Sequence, residues 1–180
     1  MERIDTEKLN RWAKEIHDNA TVHGWHEEKH SPEHLLSLVM CEVAEAIEAD
    51  RKGKYYKATG PEPSSKDSKH YFQYWYENNV KGTVEEEFAD IVIRLLDMAE
   101  EANCCILDFE DFSYNEKNTF PEQAWIFVTH ILGMSVFDIS AAISFMYSWA
   151  EQLGFDLDPY IEWKMEYNKQ RPYKHGGKKY

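Results

Sequence analysis

The sequence predicts an all-α protein, a helical bundle formed by a single domain. Apolar residues recur at helical spacing through most of the 180 residues, and no stretch alternates apolar and polar residues as a half-buried strand does. Two helix-start signals are present: Ser31 before Pro32, and Thr83 three residues before Glu86. A helix with one apolar stripe must bury that stripe against other elements, so several such helices in one short chain favour a bundle.

The first half of the chain predicts three helices and one long loop. An amphipathic helix runs from about Asp5 to Thr21, and a second begins at the Ser-Pro pair and contains the run LLSLVMCEVAEAIEAD, residues 35–50. A loop insertion at about 52–69 is rich in Pro, Ser and Lys and is predicted to be exposed. The aromatic segment at 70–79 is predicted to be a short helix.

The second half predicts a further helix from Thr83 to about Ala102, followed by an acidic loop. Two extra core helices lie within about 119–153, and a last helix spans about Asp158–Gln170. Residues 171–180 form a basic tail that is expected to cover the site discussed below. Residues 1–180 are therefore interpreted as one domain.

Composition limits the classes of partner. The formal net charge of −13 argues against binding to DNA or RNA polymers, which requires a basic surface. A phosphate substrate stays compatible with this charge, because carboxylates can hold a metal ion that in turn holds phosphates.

The remaining composition signals concern the membrane and the redox compartment. The most apolar region, residues 124–150, contains His130, Gly133 and Asp138, which a membrane span tolerates poorly, so no membrane association is predicted. The three cysteines show neither zinc spacing nor a disulfide framework. They are interpreted as reduced, buried thiols of a cytoplasmic protein.

Two glutamates interrupt the apolar face of the second helix. On a helical wheel Glu42 falls inside this face and Glu45 lies at its edge. A lone ionised carboxylate there costs several kcal/mol unless it is paired or bound to a metal. The face itself consists of Leu35, Leu38, Val39, Ala46 and Ala49.

A second pair of acids, Glu87 and Asp90, is also one helical turn apart. The helix face that carries Glu87 and Asp90 continues through charged residues, so by itself it would also suit a solvent-exposed face. Together with Glu42 and Glu45 on a facing helix, the pair favours a site of four carboxylates. An all-oxygen ligand set favours Mg²⁺, with Mn²⁺ as a substitute. A di-iron centre needs Glu-x-x-His pairs inside the bundle, and the one such pair begins at Glu27, before a helix start.

The two acid motifs, EVAE at 42–45 and EFAD at 87–90, resemble the signature of the MazG-like all-α nucleoside triphosphate pyrophosphohydrolases. Dimeric dUTPases, dCTP pyrophosphatases and phosphoribosyl-ATP pyrophosphohydrolases are relatives of that family. The segment GWHEEKHSPEHLLSLVMCEVAE, residues 24–45, resembles the dCTP pyrophosphatase branch, and residues 164–180 resemble the C-terminal Lys…Asn…Arg segment. The chain departs from compact members in its longer interval between the motifs and in the extra helices at 103–153.

The resemblance implies an Mg²⁺-dependent enzyme that cleaves nucleoside triphosphates to the monophosphate and pyrophosphate, as a house-cleaning activity. Glu42, Glu45, Glu87 and Asp90 are the implied metal ligands, and Glu45 is also the expected catalytic residue, receiving the proton of the attacking water. Two alternatives stay open at this point. One is a dUTPase-like diphosphatase specific for pyrimidines, and the other is a helical nucleotide-binding module without turnover.

Substrate-binding candidates lie on other segments. Lys164, Asn168 and Arg171 share one face of the last helix, where they can reach phosphates or else form an ordinary solvated helix end. Trp25 and His17 are candidates for stacking on the base. The aromatic cluster is interpreted as part of the core or of an oligomer interface rather than as a base-stacking site; it consists of Tyr71, Tyr74, Trp75 and Tyr76. The histidine cluster is not interpreted as a zinc site; it consists of His23, His26, His30 and His34.

The inserted helices predict an assembly. Their aromatic side chains offer more apolar surface than one small bundle hides, and exposed apolar patches usually mark interfaces. A homodimer or higher homo-oligomer is therefore expected. The residues concerned are Trp125, Phe127, Phe137, Phe145, Tyr147 and Trp149.

Overall fold

The computed structural model describes residues 4–64, 67–107, 118–132, 138–177 and 179, and every regular element in these ranges is a helix. The predicted all-α class is confirmed, and the helices pack on one another as a bundle. The elements are α1 (Thr6–Val22), α2 (Pro32–Arg51), α3 (Lys69–Asn79), α4 (Val84–Glu101), α5 (Phe120–Leu132), α6 (Asp138–Leu153), α7 (Asp158–Lys169) and the single turn α8 (Lys174–Gly177).

Both predicted helix-start signals form. Ser31 caps α2, with its hydroxyl accepting a hydrogen bond from the His34 amide at 3.3 Å, and Pro32 occupies the first helical position. Thr83 caps α4 through the amide of Glu86, also at 3.3 Å. The side chain of Glu86 does not return to the Thr83 amide, which donates to the Val80 carbonyl instead. Its carboxylate is engaged elsewhere, as described below.

Helix α4 is the central element of the bundle. It packs against α1, α2, α6 and α7, and its apolar side chains from Val84 to Ala99 are almost completely buried, apart from the partly buried Met98. A helix enclosed on all sides has no fully solvent-exposed face. The charged stripe that starts at Glu87 therefore borders a cavity between α4 and its neighbours rather than open solvent.

The inserted helices α5 and α6 complete the core within one chain. Helix α5 packs on α2 and α6, and α6 packs on α4. Phe127, Phe145 and Trp149 are at most 5% exposed, which corrects the expectation that their surface exceeds what one bundle can hide. Trp125 differs, since 66% of its surface is exposed. Phe137 lies outside the described residues.

The described residues of the predicted loop at 52–69 are largely exposed, but the beginning of the loop is fixed to the start of α4. The Lys54 carbonyl accepts a hydrogen bond from the Val84 amide at 3.0 Å, and the Tyr56 amide donates to the Glu85 carboxylate at 2.9 Å. These contacts give the buried Glu85 a partner in the first turn of α4, where the helix dipole already favours negative charge.

The three cysteines are free thiols, as expected, but they are not buried. Cys41 and Cys105 are exposed, and Cys104 is half-buried. None of the described helices has the length and apolar character that crossing a bilayer requires.

Candidate metal centre and its cavity

A cavity of about 530 Å³ lies between α1, α2, α4 and α7. His17 is not part of the cavity wall. It packs at a tilt against His26, which does line the cavity, with ring centroids 4.2 Å apart. The other candidate site residues from the sequence all line the cavity: Trp25, Glu42, Glu45, Glu87, Asp90, Lys164, Asn168 and Arg171.

Three carboxylates meet at the floor of this cavity. Glu42 on α2 and Glu87 and Asp90 on α4 each bring an oxygen within 4.8 Å of the other two. Glu42 and Glu87 are only 7% and 5% exposed. The one-turn spacing of Glu87 and Asp90 places both on the side of α4 that faces α2. The structure thus gathers three of the four carboxylates named from the sequence.

The fourth, Glu45, stands apart from this group. It is exposed and lies on the cavity wall, one turn beyond Glu42 on α2. It is still close enough for its negative charge to contribute to the raised pKa of Glu87. Within the described chain no cation pairs with Glu45, so its carboxylate is accessible from the cavity.

Crowding of negative charge perturbs two of the three carboxylates. Burial, reinforced by the charges of Asp90 and Glu86, raises the pKa of Glu87 to about 9. Burial also raises the pKa of Asp90, to about 6, while the ammonium of Lys164 opposes the shift. Glu87 therefore holds its proton at neutral pH, and a cation bound beside it would favour its ionised form.

The charge at Glu42 is compensated within the protein. Arg94, one turn beyond Asp90 on α4, directs both Nε and Nη2 at Glu42 Oε1, each at 2.6 Å. The sequence had suggested that Glu42 carries the uncompensated charge. That interpretation needs correction, because within this group of three it is Glu87, and not Glu42, that has no ion pair among the described residues.

Lys164 lies inside the carboxylate group rather than at its edge. The side chain is 8% exposed, and its ammonium contacts Glu86 Oε1 at 2.6 Å and Asp90 Oδ2 at 2.5 Å. Burial lowers the pKa of Lys164, but the two carboxylates outweigh this effect and leave the pKa raised. Lys164 was named from the sequence as a substrate-binding candidate on another segment, and in the structure one of its partners, Asp90, is itself a predicted metal ligand.

Glu86, like Arg94, is a residue of this site that sequence reasoning missed. Its carboxylate accepts hydrogen bonds from the Tyr76 hydroxyl at 2.9 Å and from the Gly82 amide, in addition to the ion pair with Lys164. The available signal was the run of three glutamates at 85–87, all of which are at most 5% exposed. In the sequence analysis Glu87 was named as a metal ligand, Glu86 was interpreted only as part of a capping signal, and Glu85 was given no role.

The cavity wall also carries groups suited to anions. Asn168 follows Lys164 by one turn on α7, Arg171 lies just beyond the end of α7, and Lys81 and Lys169 also line the cavity. The Asn168 Oδ1 atom is buried and has no hydrogen-bond partner among the described residues. A buried polar atom without a partner is costly, so a ligand or water in the cavity is expected to satisfy it.

A second group of metal-type side chains borders the cavity farther along α4. Asp97 Oδ1 is 2.8 Å from Nδ1 of His17 and 2.9 Å from Nε2 of His26. Hydrogen bonding to Asp97 raises the pKa of His26, and burial opposes this rise. The other histidines grouped in the sequence lie apart from this group. His23 bonds the carbonyls of Asn19 and Arg171, and His30 stacks on His34.

The C-terminal segment docks beside the cavity entrance. Lys174 pairs with Glu27 at 3.1 Å, and the Tyr173 hydroxyl donates to the same carboxylate. The ring of Tyr173 lies so close to Gly24 that a Cβ at this position, where φ is +84°, would overlap it. His175 then contacts Trp25 edge-on, with ring centroids 5.1 Å apart, and both residues line the cavity. Part of the predicted covering tail thus borders the site.

Comparisons with known proteins provide no external identification. No protein-family model, no curated protein and no solved structure matches the chain. What the cavity binds is therefore inferred from its own side chains.

Proposed function

We propose that this protein is a metal-dependent nucleoside triphosphate pyrophosphohydrolase, which cleaves a (deoxy)nucleoside triphosphate to the monophosphate and pyrophosphate. One observation carries the proposal: three carboxylates converge at the floor of a cavity whose wall carries lysine, arginine and asparagine. Carboxylates alone would repel a triphosphate. A metal-loaded carboxylate floor together with a cationic wall suits a polyphosphate chain.

The residues present fit Mg²⁺ or Mn²⁺. Glu42, Glu87 and Asp90 supply an all-oxygen set, and the raised pKa of Glu87 reflects its burial beside other negative charges, which a bound cation would offset. Glu45 can join the set if its side chain turns inward. When bound, the ion supplies neutralisation of the phosphate oxygens and increased acidity of a coordinated water.

The protein groups have separable roles in this proposal. Glu45 is exposed to the cavity and without a cationic partner, so it is suited to accept the proton of the attacking water. Arg171 and Asn168 offer donors to phosphate oxygens, and Lys164 neutralises charge beside Asp90. Trp25 offers an aromatic face in the same cavity for the base.

The first experiment is a product analysis over a panel of ribo- and deoxynucleoside triphosphates, with Mg²⁺ and with EDTA. We expect Mg²⁺-dependent release of monophosphate and pyrophosphate. Glu45→Gln and Glu87→Gln should abolish turnover. Glu48→Gln is the matched control, because Glu48 lies on the same helix but pairs with Arg51 and Lys52 at the surface.

Each alternative gives a distinct result. Turnover confined to dUTP would indicate a dUTPase-like enzyme with a narrow pyrimidine pocket. Nucleotide binding without turnover would indicate a helical binding module. Release of inorganic phosphate and a nucleoside diphosphate would refute the proposed cleavage position, and full activity of Glu87→Gln would refute the proposed metal centre.

A further inference from the structure

The second group of side chains, His17, His26 and Asp97, has the composition of a metal site in its own right. His17 comes from α1, His26 from the segment that follows α1, and Asp97 from the last part of α4. One ligand atom of each lies within 4.8 Å of the other two. We propose that these three residues bind a Zn²⁺-class cation, at a site separate from the carboxylate centre.

The hydrogen-bond geometry brings the three ligand atoms together. Both imidazoles approach the same oxygen, Asp97 Oδ1, at 2.8 Å from His17 Nδ1 and 2.9 Å from His26 Nε2. An arrangement that served only to tie three elements together could use both oxygens of the carboxylate. Convergence on one oxygen instead directs one nitrogen of each ring and one carboxylate oxygen toward a common point, where a cation can replace the shared protons.

The ligand types select the class of metal. Two imidazole nitrogens and one carboxylate oxygen are typical of Zn²⁺ and similar borderline cations, whereas the all-oxygen group at Glu42, Glu87 and Asp90 suits Mg²⁺. Three protein ligands leave a coordination position open. The side chains of His17, His26 and Asp97 are 15–25% exposed, so water or a ligand in the cavity can reach that position.

The two groups are distinct in position. Asp97 follows Asp90 by seven residues on α4, a separation of about 10 Å along the helix at 1.5 Å per residue. His26 and Asp97 nevertheless line the same cavity as the carboxylates. A cation held there would present an open coordination position to whatever occupies the cavity. The inference does not depend on the proposed hydrolase activity.

The test measures Zn²⁺ binding to untagged protein in a large excess of Mg²⁺, which occupies the all-oxygen centre. We expect one Zn²⁺ per chain by isothermal titration calorimetry. His17→Gln and His26→Gln should each weaken Zn²⁺ binding by more than about 100-fold, since a direct ligand contributes more than the 10- to 100-fold typical of an outer-shell partner. Glutamine keeps a donor for Asp97 and so preserves the tie between the helices.

Two variants serve as controls. His30→Gln removes another histidine of the cavity wall that stacks on His34, and it should leave Zn²⁺ affinity unchanged. Glu87→Gln disables the carboxylate centre and should also leave it unchanged. Circular dichroism of each variant checks that the helices are retained.

A measurement on the wild-type protein makes the test independent of the variants. Long-range ¹H–¹⁵N spectra of the imidazoles should show metal-induced shifts at Nδ1 of His17 and Nε2 of His26 when one equivalent of Zn²⁺ is added. No Zn²⁺ binding in the presence of Mg²⁺, or shifts at other histidines, would overturn the proposal. Loss of Zn²⁺ binding in Glu87→Gln would also overturn it, because the ion would then belong to the carboxylate centre.

Discussion

Replacement of Glu87 by glutamine is the most direct test of the carboxylate centre. Glu87 is 5% exposed, belongs to the group with Glu42 and Asp90, and has no ion pair among the described residues. Glutamine keeps the size of the side chain but cannot ionise. We expect Glu87→Gln to lose Mg²⁺ binding and, in EDTA, to be more stable than wild type at neutral and alkaline pH.

The size of this stabilisation follows from the pKa. Glu87 titrates at about 9 in the folded protein, against an ordinary value of 4.5. Between these values the folded state retains a proton that the unfolded chain has lost. The free energy of unfolding of the wild type therefore falls as the pH rises, by about 1.4 kcal/mol per pH unit for this one group. The advantage of Glu87→Gln should thus grow by about 3 kcal/mol between pH 6 and pH 8.

The assay is urea unfolding of both proteins at several pH values, in EDTA and in Mg²⁺. Mg²⁺ should stabilise the wild type increasingly as the pH rises, because the ion binds the ionised carboxylate and displaces its proton. Calorimetry in two buffers of different ionisation enthalpy should detect about one proton released per ion bound near neutral pH. Glu87→Gln should show neither effect.

Glu42→Gln provides the contrast within the same centre. Glu42→Gln should also lose Mg²⁺ binding, but it weakens the ion pair with Arg94. We therefore expect its free energy of unfolding in EDTA to be lower than that of wild type by about 1 kcal/mol, with no gain in stability at high pH.

Parallel pH profiles of stability for Glu87→Gln and wild type in EDTA would refute the reasoning about Glu87. Such profiles would mean that Glu87 is ionised in the folded protein without the cost assigned to it.

Three further predictions concern other parts of the molecule. Lys164→Met leaves the carboxylates of Glu86 and Asp90 without their shared cation and should lower the free energy of unfolding in EDTA by about 3–5 kcal/mol, as urea unfolding would measure; an unchanged value would place the ammonium outside the ion pairs. Arg171→Ala should lower kcat/KM about tenfold to a hundredfold with nucleotide-free Mg²⁺ affinity unchanged, and wild-type turnover would reduce Arg171 to a solvated helix end. Light scattering should show the expected homodimer or higher oligomer for the wild type and a monomer for Trp125→Lys, because Trp125 is an exposed apolar side chain with 66% of its surface accessible. A monomeric wild type at micromolar concentration would exclude the oligomer.

Sequence alone predicted the features that depend on local interactions. The helix starts at Ser31 and Thr83 form as expected, because a cap requires only a side-chain oxygen and an amide two or three residues away. The position of Glu42 on a buried face also followed from periodicity alone. The gathering of Glu87 and Asp90 beside it was predicted from two one-turn spacings on helices assumed to face each other.

Tertiary structure decided which charges meet. A helical wheel assumes one solvent-exposed face and one buried face. Helix α4 is instead enclosed by four other helices, so three consecutive glutamates are all buried, each in a different environment. The pairing of Lys164 with Glu86 joins residues 78 positions apart, and that of His17 with Asp97 joins residues 80 apart. Such contacts depend on how the helices pack and on which of several neighbouring side chains lies within hydrogen-bond distance of a shared oxygen. No spacing within a single helix encodes that geometry.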